Sequence, residues 1–268
     1  MNEPPTQFPD PRRRWPTTLL ALSAASIAIG PIAAGQLLPA GGPGVASAGS
    51  RFTPVQEQRA ATTPVSRSIP RSGALVALLT HATTMRATAG GIRLGPVPTR
   101  TGFGSPQALW VVAQRGGWLG VISSLAGNNR VGWIPRSSSS LGVVSWELRV
   151  SLSRRALTVI DSGRVVRRIT VAIGRPGAPT PTGRFAVTDR LLTAAPAGPY
   201  GCCILALSAH SPHAIQGWTG GDRIAIHSTP DAASIGQPVS HGCVRVTVSE
   251  GRWLMSHIPL GTPTLITS

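Results

Sequence analysis

The chain reads as a mainly β protein, and three observations carry that reading. It holds 31 glycines and 25 prolines in 268 residues, with 13% charged and 4% aromatic, a balance that suits short strands and many turns better than helical bundles. Its apolar runs are short and are separated by Gly90-Gly91, Gly116-Gly117 and Asn128-Asn129, residue types that tolerate the positive φ of hairpin turns. Leu148, Val150 and Leu152 alternate with polar neighbours, as do the residues around Leu157 and Val159, which is the period of a half-buried strand.

Residues 1–50 read as a targeting segment rather than a fold. Arg12, Arg13 and Arg14 precede an uncharged stretch from Trp15 to Ser50. Its apolar heart, Leu19 to Ile29, has the length of a secretory h-region, and Ala46-Ser47-Ala48 fits a small-residue cleavage site. Residues 17–40 also just reach the roughly 20 residues a membrane anchor needs, if Pro31 and Pro39 are tolerated. A cleaved signal and a retained anchor therefore both stand, and either one exports the rest of the chain to the cell envelope. Residues 51–72, rich in Thr, Pro, Ser, Arg and Gln, read as a linker.

A small β module is expected over residues 73–137. Five short strands are predicted there: Ala74–Leu79, the Leu94–Val97 region, Leu109–Ala113, Trp118–Ser123 and Val131–Ile134. The serine run at 137–140, followed by Gly142, reads as a boundary. Strands follow around Leu148–Leu152, Leu157–Val159 and Val165–Ile173, with a turn at Asp161-Ser162-Gly163. Next comes a proline-rich bend in which Thr180, Pro181, Thr182 and Gly183 form a structural turn. Further strands are expected at Cys203–Leu207, Arg223–Ile226 and Cys243–Val246, then a short helix over Val248–His257 and a closing strand from Leu260 to Ile266.

The formal net charge is +16, and every one of the 25 basic residues is arginine. An arginine coding bias accounts for this, and so would attraction to anionic wall polymers. The arginines are scattered without interleaved aromatics, which argues against nucleic acid as a partner. Three cysteines in an exported chain leave at least one outside any internal disulfide. Bridging adjacent Cys202 and Cys203 would need a constrained ring, so both are expected unbonded, facing opposite sides of a strand.

The residues that carry chemistry lie near the C-terminus: His227-Ser228, a loop, then Ser240-His241-Gly242-Cys243-Val244-Arg245. In an extended segment residues i and i+2 share a face, so His241 would lie beside Cys243, take its proton and leave a thiolate–imidazolium pair. Gly242 would keep the approach open, and the amides of Gly242 and Cys243 would face a developing oxyanion. That is the equipment of acyl transfer through a thioester.

Residues 147–268 resemble an L,D-transpeptidase catalytic domain of the YkuD type. The match rests on "RRALTVIDSGRVVRRITVAIG", "TPTGRF" at 180–185 and "IAIHSTPDAASIGQPVSHGCVRV" at 224–246. Ser228 is a departure, because family members often carry glycine after the first histidine. Separately, "VVAQRGGWLGV…RVGWIP" resembles bacterial SH3-like modules, in which Trp118 and Trp133 would pack the core. The fold implied is a YkuD-type β-sandwich or barrel with one or two short helices, preceded by a small SH3-like barrel.

The resemblance implies action on peptidoglycan stem peptides, with no cofactor and no metal. Cys243 would attack the carbonyl at the third residue of one stem and expel D-alanine, and an amine of a second stem would resolve the thioester as a 3→3 cross-link. His241 would be the base and Ser240 would orient it through its backbone carbonyl. His227 would line the same cleft, Arg245 would meet a stem carboxylate or brace the loop, and Ser228, Tyr200 and Trp218 would contact substrate. The loop from His227 to Ser240 would be a lid, and carbapenems would inhibit covalently. Rival readings are an L,D-carboxypeptidase or another wall cysteine hydrolase, a non-catalytic wall-binding protein, and a zinc site of His227, His241 and Cys243 with His210 or His213.

Overall fold

The computed structural model describes residues 73–212 and 222–268 together with the backbone of Phe52–Pro54. The expectations for residues 1–50, for most of the linker, and for His213 and Trp218 lie outside the described residues. The described chain is mostly strand. β1 (Phe52–Pro54) runs antiparallel to a strand of the catalytic half, opposite residues 191–193.

The first half builds a seven-stranded sheet from β2 (Ala74–Leu79), β3 (Thr83–Arg86), β4 (Arg93–Val97), β5 (Ala108–Arg115), β6 (Trp118–Ile122), β7 (Val131–Pro135) and β8 (Ser139–Val144). Its order is β4-β3-β7-β6-β5-β2-β8. Two strands depart from expectation. β3 is only four residues long and too short to show a period. The serine run is no boundary: it forms a 3-10 turn at Arg136–Ser138 and then β8, which pairs along all of β2. The tryptophans also differ. Leu119 and Ile134 are fully buried in this sheet's core, whereas Trp118 and Trp133, one place out of phase, are only partly buried.

The second half builds a nine-stranded sheet. Its strands are β9 (Trp146–Ser151), β10 (Ala156–Asp161), β11 (Arg164–Thr170), β13 (Gly183–Thr193), β14 (Cys203–His210), β15 (Arg223–Thr229), β17 (Val244–Thr247) and β18 (Pro263–Thr267), with β1 added on β13. The order is β11-β10-β9-β18-β13-β14-β15-β17. β12 (Ile173–Gly174) and β16 (Pro238–Ser240) make a separate parallel pair. Ser162 (φ 51°) and Gly163 (φ 79°) supply the two left-handed residues of the β10–β11 turn.

The helix α1 spans Val248–His257, starting at Thr247, whose hydroxyl accepts the Glu250 amide. Glu250 in its first turn takes a two-pronged bond from Arg167 of β11, at 2.7 and 3.2 Å. Leu254 and Met255 seat it on a core of Leu148, Val150, Leu157, Val159, Ile226 and Val246.

The two sheets meet through polar keys. Asn128 gives its Nδ2 to the His210 carbonyl (2.7 Å) and accepts the His210 amide (2.8 Å). Asn129 bonds the Thr182 carbonyl, and Thr101 donates to the fully buried Asp189.

Candidate active site

β15 and β17 run parallel, with Ile226 opposite Val244 and His227 opposite Arg245. Cys243 stands one residue before β17, so continuing that register sets it beside Ala225. Alternation then places Ala225, His227, Cys243 and Arg245 on one face, and Ile224, Ile226, Val244 and Val246 on the other. The second set packs into the core beneath α1. Ala225 and Cys243 of the first set form a small apolar cluster with Leu191, Ile204 and Tyr200.

His227 is 3% exposed, and its Nδ1 lies 2.8 Å from the Ser228 carbonyl oxygen. A carbonyl can only accept, so Nδ1 carries the proton and Nε2 keeps its lone pair. The Tyr200 ring stands edge-on to the imidazole, 5.0 Å between centroids. Burial drives the His227 pKa down to about 4; the Ser228 bond opposes that fall and the Arg245 charge adds to it. Burial also pushes the Cys243 thiol up to about 11, against a partial pull downward from the Ala225 backbone and the Arg245 guanidinium. The resting pair is thus a neutral thiol and a neutral imidazole, not the ion pair expected from the sequence.

The structure does not hold His241 beside Cys243 as the sequence reading expected. The expected side-by-side placement assumed an extended segment, but residues 241–243 form a bend with Gly242 at φ +115°. The bend turns His241 out, exposed and without a hydrogen bond among the described residues, while Cys243 stays 6% exposed. Gly242 is favoured by this φ; a Cβ there would also meet Ile224 Cδ1 at 2.9 Å, the movable tip of a side chain.

Ser240 does not orient His241 either. Its carbonyl accepts the Arg175 amide at 2.9 Å, and its hydroxyl donates to the Cys243 carbonyl (2.5 Å) while accepting the Gly242 amide (3.1 Å). Ser240 therefore pins the bend, and the Gly242 amide is not free for an oxyanion.

The orienting carbonyl belongs to Ser228, which the sequence reading placed against substrate. Ser228 is fully buried; its hydroxyl accepts the Cys203 amide (3.2 Å) and donates to the Tyr200 carbonyl (3.3 Å). Cβ atoms added at Gly201 or Gly251 would fall 2.3 Å from its Oγ and 2.7 Å from its Cβ. Cys202 and Cys203, expected unbonded, are joined by a disulfide next to this serine. Cys202 sits in the turn before β14 rather than in the strand, which removes the opposite-face premise. Cys243 is the free cysteine.

Arg245 is partly buried beside His227, and its Nε is buried without a hydrogen-bond partner among the described residues. A carboxylate-bearing ligand would satisfy it. The expected lid is tied down: Gly236 donates to the Val171 carbonyl and accepts from Arg155, and Gln237 accepts the Ile173 amide. Of the zinc reading's two alternative fourth ligands, His213 lies outside the described residues and His210 is engaged elsewhere. His210 is committed to Asp222 (2.7 Å) and the Ser124 carbonyl (2.9 Å), and no cluster of three or more His, Cys, Asp or Glu side chains suited to a metal occurs among the described residues.

Residues 145–266 match the family model described as the L,D-transpeptidase catalytic domain, YkuD. The YkuD protein of Bacillus licheniformis is 32% identical over 124 residues, covering 46% of this chain and 67% of the relative. The Bacillus subtilis YkuD protein is 32% identical over 119 residues, 44% of this chain and 64% of the relative, so the chain spans just under two thirds of that protein. Among solved structures, L,D-transpeptidase 3 of Mycobacterium tuberculosis in complex with a faropenem-derived adduct aligns with 52% of this chain and 73% of its own, at 19% identity and a TM-score of 0.38.

Proposed function

Because this chain belongs to the YkuD family of L,D-transpeptidase catalytic domains, we propose that it is a cysteine acyltransferase of peptidoglycan stem peptides. The observation that carries the mechanism is the His227 imidazole, with Nδ1 held by the Ser228 carbonyl, on the same sheet face as Cys243.

Nε2 of His227 takes the thiol proton as Sγ of Cys243 attacks the carbonyl carbon of the third stem residue. The pair charges only as the bond forms, because both partners rest neutral. The tetrahedral oxyanion collapses to a thioester while the imidazolium proton passes to the leaving D-alanine amine. An acceptor amine from a second stem then gives its proton to His227, attacks the thioester and leaves a 3→3 amide with the thiol restored. Water in place of that amine gives the carboxypeptidase outcome. Arg245 pairs with a substrate carboxylate through its unpartnered Nε, and Tyr200 walls the cleft against His227. We place the chain outside the cytoplasm, exported by residues 1–50, with residues 73–137 as an SH3-like module that positions the enzyme at the wall.

The deciding experiment is intact-mass spectrometry after incubation with a carbapenem, whose strained amide acylates an activated thiol. The wild type gains one inhibitor mass on Cys243 and Cys243→Ser gains none. An unmodified wild type under conditions where it is folded overturns the reading.

A further inference from the structure

The sheet has two very different faces at its β9–β10–β11–β18 end. The inner face holds Leu148, Val150, Leu157, Val159 and Ile266 in the core, and Arg167 there is tied to Glu250 of α1. On the outer face, pairing registers line up Arg184 of β13, Leu265 of β18, Arg149 of β9, Thr158 of β10 and Arg168 of β11 in a single cross-strand row. Arginine thus recurs at every second strand, roughly 10 Å apart at the usual strand spacing. All three arginines are exposed, and Arg154 joins them at the rim. Among the described residues, Glu147, paired with Arg149, is the one acid lining the adjoining concavities.

The row crosses two such concavities of about 610 and 600 Å³, which share Ile160 and Leu265. The first is lined by Arg149, Arg154 and Arg168; the second adds Arg184 with Trp110 and Trp146. At the Arg184 end, Ala74, Leu75, Trp110 and Val144 of the first sheet wall the second concavity, whereas the residues lining the first concavity all come from the second half. Residues 55–72 do not complement this face, because Arg59, Arg67 and Arg71 outweigh Glu57.

We propose that this face is a docking surface for a linear, carboxylate-bearing polysaccharide. Regularly spaced guanidinium forks suit carboxylates repeating along an extended chain, and half-buried Trp110 in the second concavity offers apolar surface to a sugar ring, while Trp146 is engaged by Trp253 and His257. The arginine row lies on β13, β9 and β11 and includes no residue of the β15–β17 pair that carries His227 and Arg245, although the ends of the strand order are bridged at Ala172 and Arg245. Such a surface would hold the enzyme on a polyanionic matrix. It rests on none of the Cys243 chemistry and would stand if the acyltransferase reading fell.

The test is affinity electrophoresis and calorimetry of the full chain with polygalacturonate, against dextran as neutral control and long-chain polyphosphate as phosphate control. Polygalacturonate should bind, dextran should not, and binding should weaken with salt. The triple variant Arg149→Gln, Arg168→Gln, Arg184→Gln should bind roughly tenfold or more weakly, with carbapenem acylation of Cys243 unchanged. A control triple in the first half, Arg93→Gln and Arg115→Gln on its sheet and Arg136→Gln in the turn before β8, removes the same charge and should leave binding near wild type. Equal loss in both triples overturns the proposal in favour of bulk charge. Tighter binding to polyphosphate than to polygalacturonate overturns the ligand class, and absence of polygalacturonate binding overturns the proposal outright.

Discussion

Strand β15 and the bend at 241–243 each carry a histidine near Cys243, and their fates are opposite. His227 is locked in a strand, buried, with one nitrogen bonded to Ser228 and its ring against Tyr200. His241 is exposed on a bend and bonded to nothing described. The lesson is that a catalytic base is made by burial, a fixed tautomer and a shared sheet face, while proximity in sequence supplies none of these.

The largest effect should come at the nucleophile. Cys243→Ser replaces the thiol with a far less acidic hydroxyl, and turnover of a stem tetrapeptide should fall by about 10³-fold or more with the circular dichroism unchanged. Next come the two histidines. His227→Ala should cost about 10²- to 10⁴-fold in kcat, and His241→Ala less than about tenfold, the scale of an exposed polar contact. Equal losses at the two positions, measured on folded protein, would erase the distinction between strand and bend.

The same contrast shows what was legible in the sequence. Cys243, His227, Arg245 and the helix at 248–257 could be read from residue type and local pattern. The role of His241 could not, because it depends on the positive φ of Gly242, and Ser240-His-Gly-Cys reads equally well as a strand. Nor could the parallel pairing of β15 with β17, which is non-local and alone brings His227 alongside Cys243. β13, the strand that joins the two ends of the sheet, was hidden by Pro179 and Pro181 before it and by Asp189 and Arg190 within it. Asp189 is tolerated there because Thr101 arrives from the other sheet to bond it, a partner no local window contains.

Burial of both reacting groups also leaves a signature in stability. His227 titrates near 4 when folded and near 6.5 when unfolded, so the unfolded chain binds the extra proton between those values. Stability is therefore full above about pH 6.5 and falls by about 3 kcal/mol as pH drops toward 4. Cys243 acts in the other direction: its folded value near 11 exceeds its ordinary value of 9.0, so stability falls by about 3 kcal/mol as pH rises between them. Urea midpoints measured across pH should show both flanks. His227→Gln should flatten only the acid one and Cys243→Ser only the alkaline one, whereas His241→Gln should leave both in place.

The smallest effect tests whether the bend is merely a connection or a held geometry. Ser240 Oγ satisfies the Gly242 amide and the Cys243 carbonyl at once, inside a 1% exposed site. Ser240→Ala deletes both bonds and leaves two backbone groups unpaired, a loss of about 1–3 kcal/mol in unfolding free energy. The freed bend would also let Cys243 swing relative to His227, lowering carbapenem acylation by a fewfold. Ser240→Thr keeps the hydroxyl and should recover most of both quantities, provided its extra methyl fits. Acylation that recovers in the Ser240→Thr variant while stability does not would assign the hydroxyl to aiming the sulfur rather than to holding the fold.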